Sequence, residues 1–214
     1  MKNLEMELKE KIKMLEATLS EKEAEIKKLA SVANYDFLTL LYNRHGFINE
    51  MNKVSAEIQS RRRDTENRKI IFNDFSLIFI DIDDLKKIND RCGHNAGDQV
   101  LKKAATLFQD LVRKFDIVAR WGGDEFVVGL LGADIQMASK IAETMRMGLQ
   151  KLKVCDQKLS ASFGVADISR YCSAERKICD IGELIKKADQ SMYEAKQQKG
   201  KNAVVVCDEA VYKD

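Results

Sequence analysis

The chain has 214 residues, 45% of them hydrophobic and 33% charged, enough for one well-cored domain plus an appendage. With 36 basic and 34 acidic residues the formal net charge is +2, which argues against nucleic acid or a membrane surface as partner. No apolar stretch approaches the ~18 residues of a membrane helix, and the N-terminus is charged from Lys2 onward, without the form of a signal peptide. The cysteines at 92, 155, 172, 179 and 207 form no C-x-x-C pair. Reduced thiols in a cytoplasmic protein are therefore expected, with neither disulfide nor zinc site.

The first 33 residues differ in character from the rest. Leu8, Ile12, Leu15, Leu19, Lys22, Ile26, Leu29 and Ala33 recur at alternating spacings of four and three, on a background of Glu and Lys. Ile12, Leu19 and Ile26 share one seam position, and Leu8, Leu15 and Leu29 the other. Ile at a with Leu at d favours a parallel two-stranded coiled coil, so a homodimer is expected through residues 1–33, with a separate domain over 34–214. The plainer alternative is one amphipathic helix folded back on its own domain. Lys22, at the seam, is expected to fix register or to mark a point where the coil shifts.

Onward from there helix and strand alternate. A helix is expected from Arg44 to about Arg62, then a polar loop to about Asn73, with the Arg61-Arg62-Arg63 run where the two meet. Asp64, Glu66 and Asp74 follow that run closely, so it reads as a solvated loop. A buried strand spans Phe75–Asp81, a helical turn Asp84–Asp90, and a helix Asn95–Lys114. Strands at Asp116–Arg120 and Phe126–Leu131 flank Gly122-Gly123. A helix over Ile135–Leu152, a strand over Leu159–Ala166, a helix over Ile181–Gln197 and a strand over Ala203–Cys207 complete an α/β sheet covered by helices.

Two acidic strand ends carry the chemistry. Arg120-Trp121-Gly122-Gly123-Asp124-Glu125-Phe126 taken alone is a hairpin with solvated acids, since a Gly-Gly pair suits a tight turn. Ser76-Leu77-Ile78-Phe79-Ile80, however, runs straight into Asp81-Ile82-Asp83-Asp84. Carboxylates at the end of a central strand, facing others on a neighbouring hairpin, suit Mg²⁺ held against nucleotide phosphates.

The chain resembles the GGDEF domains of diguanylate cyclases, which make cyclic di-GMP from two GTP molecules, over roughly Asp36 to Val206. Asp36-Phe37-Leu38-Thr39 with Asn43-Arg44 is similar to the family's opening signature. Phe79 to Asp83, Lys86, Ile88-Asn89-Asp90, Gly93-His94 and Gly97-Asp98 follow its central motif. Ser162-Phe163-Gly164-Val165 and Ala188-Asp189, continuing through Met192 to Lys196, match two later blocks. The resemblance implies a polymerase-palm-like domain with a mostly antiparallel sheet.

It also implies roles. Asp81, Asp124 and the Ile82 carbonyl are expected to hold Mg²⁺, with Mn²⁺ as an alternative, and Glu125 to contact metal or accept a proton. Asp83 is expected on the opposite face of the strand end from Asp81, in a structural hydrogen bond. Gly122 and Gly123 would let the hairpin backbone approach the nucleotide, where a Cβ would collide. Asn89 and Asp98 match the guanine-reading pair: a carboxylate accepts from guanine N1–H and N2, a donor edge adenine lacks. Lys86 and Lys196 match phosphate-contacting positions, and Lys201 stands where the family usually has Arg. The segment Gln197-Gln198-Lys199-Gly200-Lys201-Asn202 is one residue longer than usual, and Leu40 replaces a usual Gly.

Arg113 and Asp116 have the R-x-x-D form of the family's inhibitory product site, to which Arg146 matches a further arginine. The resemblance therefore implies a product-inhibited homodimeric enzyme with GTP as substrate; an input reaching the stalk would come from an upstream sensor domain or from a partner acting on it. The alternative is an inactive domain serving as a GTP or cyclic di-GMP receptor. Synthesis of adenine-containing dinucleotides is disfavoured by Asp98, and a structural adaptor leaves the acidic cluster unexplained.

Overall fold

The computed structural model describes residues 2–61, 75–168, 181–197 and 200–207. Residues 62–74, among them Arg62 and Arg63 of the arginine run and the expected polar loop, Cys172, Cys179 and the side chains of Leu8, Ile26, Leu29 and Arg61 lie outside what it describes.

Helix α1 (Lys2–Asn34) is one continuous rod. Its seam residues Ile12, Leu15 and Leu19 are 52%, 61% and 61% exposed, so along this stretch the helix is not folded back on the domain. Strand β1 (Tyr42–Asn43) and helix α2 (Arg44–Arg61) follow.

Strand β2 (Phe75–Ile82) is buried along its whole length, as its unbroken apolar run requires of a strand covered on both faces. It lies at the middle of a sheet in the order β1-β3-β4-β2-β7-β8. Its neighbours are β4 (Glu125–Leu131) and β7 (Ala161–Asp167), both antiparallel to it. Strand β3 (Ile117–Gly122) pairs antiparallel with β4, while β1 and β8 (Val204–Val206) add parallel edges. The sheet is therefore mostly antiparallel, as the resemblance implies.

Alternation along β2 sends its side chains to two cores. Phe75, Leu77 and Phe79 pack with Phe47 and Met51 of α2 and with Leu184, Ala188 and Met192 of α6 (Ile181–Gln197). Ile78, Ile80 and Ile82 pack with Val100, Ala104 and Phe108 of α4 (His94–Asp110) and with Ala138 and Met145 of α5 (Ile135–Leu149). Gly164 lets α6 ride directly on β7, because a Cβ there would meet the helix backbone at Ala188 and Met192.

Three helix ends differ from the sequence reading. The helical turn expected at 84–90 is the helix α3 (Leu85–Cys92), which runs two residues further and meets α4 at Gly93. Helix α4 stops at Asp110 rather than Lys114, since residues 113–116 form a turn closed by an Asp116 N–H to Arg113 C=O bond of 3.0 Å. The expected helix over Ile135–Leu152 ends at Leu149 and is followed by a small hairpin, β5 (Lys153–Val154) and β6 (Gln157–Lys158). Two-residue strands such as these and β1 carry no readable periodicity.

Candidate functional site

Asp81 continues the alternation of Leu77 and Phe79, which puts its carboxylate on the α6 side of the sheet. Register sets Asp81 directly across from Glu125, and the Ile82 N–H donates to the Asp124 carbonyl at 3.0 Å. The last turn of α6 then places Lys196 Nζ 2.6 Å from Asp81 Oδ2. Asp81 is only 6% exposed, and its Oδ1 is buried without a hydrogen-bond partner.

Burial pushes the Asp81 carboxyl up to about 6, reinforced by the charges of Asp124 and Asp83 and opposed by Lys196. Burial also raises Glu125, with Asp81, Asp189 and Asp124 adding to the effect. Acids in this state await a cation beyond the single lysine. Among the described residues no three acidic, histidine or cysteine side chains form a ready metal cage. Mg²⁺ characteristically takes one or two carboxylates and completes its shell with water and substrate phosphate oxygens. The orphaned Asp81 oxygen and the adjoining Asp124 therefore fit such an ion.

Asp83 is a structural residue, but not for the reason expected. Residues two apart on a strand share a face, and Asp83 stands just past β2, close enough to Asp81 to raise its carboxyl. It accepts from Ser160 Oγ and Ser162 Oγ at 2.9 Å each, and from the Asn202 backbone N–H at 3.1 Å. Lys201 pairs with Asp84 Oδ1 at 2.8 Å, as does Lys87 at 2.9 Å.

Beside the acidic cluster lies a cavity of about 410 Å³ whose lining includes Lys86, Asn89, Asp98, Arg120, Gly123 and Asp124. It is built by the corner between α3 and α4. Gly97 brings α4 against the Asn89 side chain, leaving no room there for a Cβ. Asn89 Oδ1 is buried and unpartnered. The structure thus joins Asn89, Asp98 and Lys86 with the hairpin acid Asp124 around one space.

At the hairpin tip Gly123 takes φ +52°, which accounts for glycine there by turn geometry. A Cβ on Gly122 or Gly123 would meet no protein atom, so any collision must come from a bound molecule.

Arg120 is the residue the sequence reading overlooked. Its guanidinium holds the Gly123 carbonyl from Nε (3.1 Å) and Nη2 (2.8 Å), and pairs through Nη1 with Asp36 Oδ2 at 3.2 Å. Asp36 also accepts from the Thr39 N–H and Oγ1 at 2.9 and 2.7 Å. Asn43 Nδ2 donates to the Ala33 carbonyl at 2.9 Å, next to the end of α1. The hairpin tip is therefore tied to the base of the stalk. The same turn forces Leu40 to φ +61°, which explains why glycine is usual there. Asp189, quoted in the motif but given no role, adds its charge to the Glu125 environment.

Arg113 and Asp116 line a separate small recess of about 70 Å³ with Leu111, Leu131, Met137 and Ile141. Asp116 accepts from the Arg113 N–H at 2.8 Å and from the Leu131 N–H at 3.0 Å. Arg113 is exposed, its guanidinium carbon 5.7 Å from the Phe115 ring centre. Arg146 is not among the residues that line this recess. It is tied to Glu143 at 2.6 Å and to Asn202 Oδ1 at 3.2 Å, toward the Asp83 end of the domain.

A family profile described as diguanylate cyclase, GGDEF domain, matches residues 33–202. Probable diguanylate cyclase DgcT of Escherichia coli K12 is 32% identical over 184 residues, covering 83% of this chain and 36% of that protein. Diguanylate cyclase DgcM of the same strain is 34% identical over 179 residues, covering 83% and 39%. The chain thus spans under two-fifths of the length of these curated relatives. Among solved structures, the coiled coil and GGDEF domain of DgcB from Caulobacter crescentus, in complex with c-di-GMP, aligns with a TM-score of 0.69 at 26% identity. That alignment covers 90% of this chain and 98% of the other. The GGDEF domain of TpbB from Pseudomonas aeruginosa aligns at 0.67 and 30% identity, covering 82% and 95%. With the profile spanning most of the chain, and both acidic strand ends inside it, this protein belongs to the GGDEF-domain family of diguanylate cyclases.

Proposed function

We propose that this chain is a Mg²⁺-dependent diguanylate cyclase that condenses two GTP molecules into cyclic di-GMP, releasing two pyrophosphates. The observation that carries the reading is the cavity joining Asn89 and Asp98 to Asp124, beside the Asp81–Glu125 pair. Asn89 and Asp98 bind guanine at one end, its N1–H and N2 amino group donating to the Asp98 carboxylate. Lys86, with Lys196 and Lys201, meets phosphate oxygens as point charges. The exposed Gly122 and Gly123 leave the hairpin edge open to the nucleotide.

Asp81, the Ile82 carbonyl and Asp124 would hold Mg²⁺ or Mn²⁺, which would supply positive charge against the phosphates and make the attacking hydroxyl more acidic. Glu125, raised by burial and its acidic neighbours, is poised to take the proton of the 3′-hydroxyl that attacks the α-phosphorus in line.

Each domain holds one GTP, so two must face each other for both bonds to form. The stalk supplies that meeting through the exposed seam of Ile12, Leu15 and Leu19, as a parallel coiled-coil homodimer. An upstream sensor acting through stalk register would set the mutual orientation of the domains. Product inhibition is assigned to Arg113, whose exposed guanidinium is available to cyclic di-GMP, with Asp116 keeping spare acceptor capacity while it closes the turn.

The test is incubation with GTP and Mg²⁺, nucleotides resolved by chromatography, with ATP in parallel. Cyclic di-GMP and pyrophosphate from GTP alone support the reading. Absence of product despite tight GTP or cyclic di-GMP binding, in a chain shown to be dimeric by light scattering, replaces it with the receptor alternative.

A further inference from the structure

Lys196 sits in the last turn of α6 with its Nζ 2.6 Å from Asp81 Oδ2, the two side chains being 28% and 8% exposed. The helix gives that turn little freedom. Ala188, Met192 and Ala195 are buried, and Gly164 lets the α6 backbone lie directly on β7. Asp81 is fixed as well, in register with Glu125 on one neighbouring strand and Ser162 on the other. The fold thus sets both ends, and a flexible four-carbon stem closes the contact. One ammonium therefore faces two tasks. It stands on a carboxylate assigned to a divalent ion, and it is itself assigned to substrate phosphate.

The two cations oppose each other. A divalent ion on the unpartnered Asp81 Oδ1 would stand roughly 4–5 Å from an ammonium on Oδ2, where like charges repel strongly in a partly buried setting. Lys201 provides the contrast. Its side chain is 43% exposed and pairs with Asp84, which Lys87 also approaches and which has no part in holding the ion. A pair so exposed binds its partners weakly.

We propose that Lys196 is an internal counter-cation that competes with the divalent ion for Asp81 and is drawn off by nucleotide phosphate, so that ion and nucleotide bind cooperatively. In the nucleotide-free chain the ammonium on Oδ2 keeps the affinity of Asp81 for a divalent ion low. Phosphate oxygens entering the adjoining cavity offer Nζ a second set of acceptors. The stem swings toward them, and the Asp81 carboxylate is left to the ion. By linkage, the ion raises nucleotide affinity by the same factor as the nucleotide raises ion affinity. The identity of the nucleotide rests on the cyclase reading; the competition at Asp81 does not.

The experiment measures Mn²⁺ binding to the nucleotide-free full chain in mildly alkaline buffer, from the loss of the free-ion electron paramagnetic resonance signal. Native protein is compared with Lys196→Met, Lys196→Arg and Lys201→Met, with thermal melts to establish folding and Lys196→Gln in place of an unfolded Lys196→Met. Lys196→Met is expected to bind Mn²⁺ at least about tenfold more tightly than native protein. Lys196→Arg, which keeps the charge, is expected to stay close to native, and Lys201→Met to change little. Unchanged or weaker binding in Lys196→Met overturns the proposal and makes Lys196 a residue that holds Asp81 in place for the ion. An equal gain in Lys201→Met overturns it too, since net charge alone would then account for the effect. Calorimetric titration with 3′-deoxy-GTP, which lacks the attacking hydroxyl, reads the coupling from the other side. The gain in nucleotide affinity on adding Mn²⁺ is expected to be smaller in Lys196→Met than in native protein, and equal gains overturn the cooperativity. Failure of every chain to bind the nucleotide counts against the cyclase reading instead, while the Mn²⁺ comparison stands by itself.

Discussion

Lys196 Nζ stands 2.6 Å from Asp81 Oδ2 while the other oxygen of that carboxylate is buried without a partner. A helix terminus and a strand end from opposite parts of the chain thus meet in a half-satisfied ion pair. The arrangement costs stability, because one lysine does not offset the burial of an acid also facing Asp124, Asp83 and Glu125. Sites that handle charged substrates characteristically carry such a cost.

The cost has a pH signature. The Asp81 carboxyl lies at about 6 in the fold against 3.8 for its ordinary value. The folded state therefore binds more protons across that interval, and this residue's contribution to stability falls as pH rises from about 4 through 6. Asp81→Asn is expected to stabilise the apoprotein at pH 8 by up to about 3 kcal/mol, and to lose that advantage near pH 4. Denaturant melts at both pH values check it. The same variant is expected to make no cyclic di-GMP.

Arg120→Ala removes both the Gly123 carbonyl contact and the Asp36 ion pair, each of whose charged side chains is only 14% exposed. A loss of about 2 kcal/mol in stability is expected. If the hairpin tip is set by this residue, turnover falls by roughly 10²-fold even where the protein remains folded. Thermal melts alongside product formation separate the two effects. Unchanged turnover in folded protein would show that the tip holds its place without Arg120.

Asp98→Ala deletes the acceptor assigned to guanine. GTP binding is expected to weaken by about 10- to 100-fold, equivalent to 1–3 kcal/mol, with the melting temperature little altered. Calorimetric titration against GTP and ATP measures it. An equal loss for both nucleotides would remove Asp98 as the reader of the base.

Arg113→Ala is expected to relieve product inhibition, whereas Arg146→Ala is expected to leave inhibition in place and to lower stability. The reason is that Arg146 is spent on Glu143 and Asn202. Initial rates with added cyclic di-GMP distinguish the two arginines.

Leu40 is 76% exposed and held at φ +61°. Leu40→Gly removes a left-handed leucine and little packing, so a gain of about 1 kcal/mol is expected. Urea denaturation checks it, and a loss would mean the exposed side chain makes a contact in the dimer.

The sheet, its helices and the positions of both acidic strand ends were legible in the sequence because each is a local pattern. The run Phe75–Ile80 is apolar at every position, as a strand buried on both faces must be. Gly122-Gly123 between two apolar runs marks a hairpin, and α1 repeats its seam with a fixed period. Motif spacing carried Asn89 and Asp98 to one pocket, since both lie within a short helix–helix corner.

What no local pattern contains is which charge meets which across the fold. Arg120 and Asp36 are 84 positions apart, and their pairing exists only because β3 and the turn after α1 pack together. Lys196 reaches Asp81 only because α6 lies along β7, and Arg146 turns to Asn202 because α5 runs beside β8. Asp83 lies on the Asp81 side, as residues two apart on a strand do, and the bond from Ser162 that it accepts there comes from the neighbouring strand. Hydrophobic period and turn chemistry are properties of neighbouring residues, and the sequence by itself determined those. The partners of Asp81, Arg120 and Arg146 were decided by packing, which alone sets the distances over which charge and hydrogen bonding act.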